Sequence, residues 1–123
     1  MEDGQKLKYV EIKPRSKTQL LAEFASGDVN IICDALFSAA QHEPDWRWSQ
    51  AQCLAMLKHD SLTVRSCAVI AISEIAIFRG EIDLDVVVPE LERLLNDEAL
   101  RPFAEDALKD IRGEGAFLNP NQE

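Results

Sequence analysis

Asp60-Ser61-Leu62-Thr63-Val64-Arg65-Ser66-Cys67-Ala68-Val69-Ile70-Ala71-Ile72-Ser73-Glu74-Ile75 is the stretch whose reading decides the fold. Val64, Ala68, Ala71, Ile72 and Ile75 recur at helical spacing and make one face of a long helix apolar. Asp60 can cap its start, and Gly80, after Arg79, supplies a residue suited to ending it. The pattern returns at an offset of 36 residues. Ala35, Ala71 and Ala107 are equivalent, as are Leu36, Ile72 and Leu108. The last two segments also pair Val64 with Leu100, Arg65 with Arg101, Ala68 with Ala104 and Ile75 with Ile111. The first segment is less regular, with Val29 where the others carry arginine. A small Ala beside a branched apolar residue is what stacked helices need: one admits a neighbouring backbone, the other fills the space between layers.

Working outward, Ser16-Lys17-Thr18-Gln19 reads as a capping box, followed by Leu20, Leu21 and Phe24 at helical spacing and a stop at Gly27. Asp28 can cap a second helix carrying Ile32, Leu36 and Ala39 to about Gln41. Asp45 can cap a third, from Trp46 to about Lys58. Asp83 opens the fifth, with Leu84, Val87, Leu91, Leu94 and Leu95 on one face. Pro89 either kinks that helix or marks its true start. The sixth follows Asp97, with Pro102 in its first turn and Gly113 at its end. Six helices in three antiparallel pairs make an all-α domain over residues 16–112. Residues 1–15 form an extended arm in which Leu7, Tyr9, Val10 and Ile12 can make a short strand. Residues 113–123 form an irregular tail whose Phe117 and Leu118 can fold back on the last helix.

The chain has 123 residues and a net charge of −9, with hydrophobic residues at 46%. This is enough apolar material for one core. The acidic balance argues against nucleic acid and against an anionic membrane surface, both of which require clustered Lys and Arg. The longest apolar run, around Cys67 to Phe78, is interrupted by Ser73 and Glu74 and falls short of a membrane span. The polar start Met1-Glu2-Asp3-Gly4 is unlike a signal peptide. Cys33, Cys53 and Cys67 form no Cys-x-x-Cys pair and sit among apolar residues, as reduced core thiols of a cytoplasmic protein do.

From Cys53 to Ile72 the chain resembles the HEAT-repeat family, with the end of one helix, an inter-helix Asp60 and a Val64-Arg65-x-x-Ala68-x-x-Ala71 helix. Pro89 to Asp97, followed by Leu100-Arg101, looks like the next repeat. The resemblance implies a short right-handed solenoid of about three helical hairpins, whose second helices line a concave face. It also implies that Asp60, Arg65, Asp97 and Arg101 form an internal ladder. HEAT-like folds serve as scaffolds, and the fold does not set the function.

Chemistry is absent from the motifs. His42 and His59 lack a second ligand at helical spacing, so no metal is expected. Cys53 lies on an apolar stripe, away from the exposed position a nucleophile needs. No nucleotide or hydrolase motif occurs. The chain therefore reads as non-enzymatic, with no cofactor.

Charge distribution points instead to a partner. Residues 81–114 hold eleven acidic and four basic side chains. Trp46 and Trp48, two apart at a helix start, cannot share a face; one is expected buried and the other partly exposed as an interface anchor. The residues assigned to partner contact are Trp46, Trp48, Glu74, Asp83, Asp85, Glu105, Asp106 and Asp110. Small acidic HEAT-like chains look like the immunity proteins of bacterial polymorphic toxin and contact-dependent growth inhibition systems. That resemblance implies a cationic toxin domain, a nuclease, as partner. The alternatives are a HEAT-like nucleic-acid-binding protein, which needs a basic concave face, and a lyase- or chaperone-type scaffold, which needs a wide apolar groove.

Overall fold

The computed structural model describes residues 11–113. The strand expected at Leu7, Tyr9 and Val10 and the packing expected of Phe117 and Leu118 lie outside them. Six helices are described: α1 (Lys17–Phe24), α2 (Val29–His42), α3 (Trp46–Met56), α4 (Leu62–Arg79), α5 (Leu84–Leu94) and α6 (Arg101–Arg112).

The helix ends follow from local chemistry. Ser16 and Gln19 form the expected capping box, and Asp28 and Asp45 accept from backbone N–H groups at the starts of α2 and α3. The α4 cap is Ser61 rather than Asp60: its hydroxyl accepts from Val64 N at 3.3 Å. Asp83 occupies the α5 cap position without a side-chain bond. Its carbonyl accepts from Val86 and Val87, so α5 begins at Leu84, ahead of Pro89. Gly80 and Gly113 adopt the left-handed conformation, with φ of 69° and 76°, that closes α4 and α6.

Packing runs along α2, α4 and α6, with α1 against α2, α3 against α2 and α4, and α5 against α6. The 36-residue register is visible in burial. Ala35, Ala71 and Ala107 are 0%, 0% and 2% exposed, beside buried Leu36, Ile72 and Leu108. Contacts at both ends make α2 and α4 parallel: Cys33 Sγ lies 3.9 Å from Thr63 O, and Gln41 Nε2 donates to Glu74 Oε1 at 3.2 Å. The fold is all-α, and this stacking order is compatible with a short solenoid.

The arginines hold the hairpin turns in a way the ladder expectation missed. Arg65 donates to His59 O at 2.7 Å and to Asp60 O at 3.0 Å. Arg101 Nε donates to Leu95 O at 3.0 Å. Residues 59 and 95 are themselves 36 apart, so both arginines reach the carbonyl six residues back. Neither pairs with Asp60 or Asp97 among the described residues. Asp97 instead accepts from Ala99 N and Leu100 N. The turn leaves carbonyls at the end of one helix without intrahelical donors, and an arginine in the first turn of the next helix satisfies them.

Candidate functional site

Helices α2, α4 and α6 bury their stripes against each other and against α1, α3 and α5, leaving one outer face uncovered. The 36-residue offset arranges that face in rows. Ile31, Cys67 and Phe103 make the first, Asp34, Ile70 and Asp106 the second, and Ser38, Glu74 and Asp110 the third. Along α4 the face continues through Ile77 and Phe78, which are 46% and 54% exposed. Apolar side chains therefore run down the central helix, with carboxylates on both sides and Glu74 among them.

These carboxylates lack cationic partners. No described Lys or Arg forms an ion pair with Asp34, Glu74, Asp106 or Asp110. Burial raises the Glu74 pKa, opposed by the Gln41 hydrogen bond. Burial also raises Asp110, and the neighbouring Asp106 charge adds to it. The Cys67 thiol is pushed up to about 12, first by burial, then by its hydrogen bond with Cys33 and by the charges of Asp34 and Glu74. Cys53, fully enclosed, also rises to about 12. Neither is a ready nucleophile at neutral pH.

Part of the face is already occupied. Ser38 Oγ donates to Lys13 O at 2.7 Å, and the His42 ring bonds Ile12 O through Nε2 at 2.7 Å. Arg15 donates to Asp34 O at 3.3 Å and pairs with Glu23. Residues 12–15 thus lie along α2 and cover the Ser38 end of the third row. The open area is centred on α4 and α6.

The eight residues assigned from sequence divide by position. Glu74, Asp106 and Asp110 come together on this face. Asp83 and Asp85 sit at the start of α5. Glu105 lies on the other flank of α6, beside a depression of about 610 Å³ with Leu95, Leu108, Arg101, Lys109 and Arg112. Trp46 and Trp48 are both half-buried, which corrects the expected split into one buried and one exposed ring. Trp48 packs on Phe24, ring centroids 6.5 Å apart, with Lys17 Nζ 5.2 Å from its own centroid. Trp46 carries the Arg47 guanidinium 4.5 Å from its ring.

Asp34, Ile70, Ile77, Phe78 and Phe103 were missed from sequence. The signal was present, since the offset that aligned the buried positions also aligns the outward ones. Both histidines are half-buried and bonded to backbone; His59 Nδ1 accepts from Ser61 N at 2.9 Å. No group of three or more His, Cys, Asp or Glu among the described residues could hold a metal ion. No described helix is long and apolar enough to cross a membrane.

No protein-family model matches the chain, and no curated protein does. Among solved structures, it is similar to a chain in the crystal structure of a CDI complex from Cupriavidus taiwanensis LMG 19424. The two are 28% identical with a TM-score of 0.76, and the match covers 85% of this chain and 95% of that one. The chain therefore shares its fold with a component of a CDI complex, the system that the sequence resemblance pointed to.

Proposed function

We propose that this protein is a non-enzymatic immunity protein that binds a cognate toxin domain and neutralises it by occluding its active site. The observation that carries the proposal is the shared fold and 28% identity with a chain of a CDI complex, extending over 85% of this sequence. The net charge of −9 supports a cationic partner, because opposite fields speed encounter and penalise wrong pairings. A nuclease domain is such a partner, since its groove must attract phosphate, and an acidic surface seated there denies access to nucleic acid.

The test uses the toxin domain encoded beside this gene. Titration calorimetry should give one-to-one binding, and co-expression should rescue growth from the toxin. A toxin domain that neither binds nor is silenced would refute the proposal. A toxin active on nucleic acid in isolation, and inactive once the immunity chain is added in equal amount, would support occlusion of a nuclease.

A further inference from the structure

We infer that the toxin docks on the open α4–α6 part of the outer face, with an apolar contact over Ile70 and Phe103 and basic side chains beside Glu74, Asp106 and Asp110. This rests on the immunity reading and adds where and how the partner is held.

Three observations converge here. The central helix of a stacked array turns half-buried Cys67 and Ile70 and exposed Ile77 and Phe78 outward, where solvent alone would favour polar residues. Carboxylates flank that stripe and none is neutralised by a described cation. Some acidic side chains off this face do meet cations: Glu92 with Arg112, Glu90 with Arg93, Asp45 with Lys17. An apolar centre rimmed by uncompensated carboxylates suits a partner of complementary make-up, a cationic protein surface with an apolar anchor.

Groups around the carboxylates also restrict where the cations can sit. Gln41 occupies one side of Glu74, and its carbonyl accepts from Arg79 at 3.1 Å. Residues 12–15 cover the Ser38 position. Lys109 lies on the far flank of α6, lining the depression beside Glu105. The open approach to Glu74 is therefore from the α6 side, where Asp106 and Asp110 lie one turn apart and act on each other.

The experiment measures toxin binding by calorimetry for charge-matched variants. On the face, Asp106→Lys with Asp110→Lys, and separately Ile70→Arg, should each weaken binding at least 100-fold. Off the face, Glu90→Lys with Glu92→Lys on α5 makes the same charge change and should alter binding less than threefold. The milder Asp106→Asn with Asp110→Asn, expected to weaken binding about tenfold, serves if a reversed variant loses its helical signal. Hydrogen exchange on the parent complex gives a second reading: protection should fall on 62–79 and 101–112 rather than 46–56. If the parent binds but the off-face pair costs as much as the on-face pair, or protection centres on 46–56, the docking face is wrong and the immunity reading stands. If the parent fails to bind the toxin, both fall.

Discussion

Substituting Asp at two adjacent positions of α4 tests the register on which both fold and face depend. Ala71 is 0% exposed on a helix that packs against α2, α3 and α6. A carboxylate placed there has no described cation on hand and costs about 3–5 kcal/mol. The lower helix propensity of Asp adds roughly 0.5 kcal/mol. Against a total stability on the order of 5–15 kcal/mol, this brings the chain close to unfolding. Ile70, one residue earlier, faces outward and is only half-buried. Ile70→Asp should cost about 1 kcal/mol, from partial loss of apolar burial and the same propensity term. Urea denaturation followed by far-ultraviolet circular dichroism separates the two. With a slope of about 2 kcal/mol per M, Ala71→Asp should lower the midpoint by roughly 2 M and Ile70→Asp by roughly 0.5 M. Midpoints within 0.3 M of each other, on the order of 0.6 kcal/mol, would refute the assigned register.

Other outcomes follow from single contacts. Cys67, with its thiol at about 12, should react with a thiol-directed reagent at pH 8 roughly 1,000-fold more slowly than a free cysteine, and Cys53 more slowly still; urea should abolish the difference, and a native rate like that of free cysteine would overturn the assignment. Arg65→Met removes donors to two turn carbonyls and should cost about 1.5–3 kcal/mol, whereas Arg101→Met, which loses one described bond, should cost about 1 kcal/mol; equal or reversed losses in urea melts would count against the pinning role. Glu74 has its folded-state pKa raised by burial, so the stability tied to its neutral form is full below the unfolded value and lost as pH rises through the folded value. Glu74→Gln should therefore gain on the parent as pH rises from acid to neutral; a parent that gains on the variant instead would mean the carboxylate is paired with a cation.

Most of the fold could be read from particular residues. Ala35, Ala71 and Ala107 marked the stacking positions, and Ser16, Asp28 and Asp45 marked three helix starts, because a cap bond is local and its residue types are few. Precision failed where two capping residues are adjacent: Asp60 and Ser61 both qualify, and the backbone turn selects the second. The candidate site was less legible. Summing charge along the chain drew attention to residues 81–114, but a helix sends neighbours to opposite sides. Asp106 and Glu105, adjacent in sequence, lie on different flanks of α6. Trp48 meets Phe24 and Lys17 of α1, a contact between separate helices that no local pattern encodes.

Segment charge and face charge are thus different quantities in a stacked helical protein. The most acidic third of this chain also lines its depression with Arg101, Lys109 and Arg112. Two of those cations are committed within the fold: Arg101 to Leu95 O, and Arg112 to Glu92. They make α6 amphipathic in charge, with cations toward the α5 flank and Asp106 and Asp110 on the outer face. A partner reads the face, because fields from exposed groups decay within about 8–10 Å in physiological salt. The outer face combines unpaired carboxylates with an apolar centre, whereas the α5 flank sets Arg101, Lys109 and Arg112 around Glu105. The first presents one sign of charge to a basic surface; the second presents both signs. Under the proposed docking, the net charge of −9 would bias encounter, and the rows at 67, 70, 74, 103, 106 and 110 would set the specificity of the bound state.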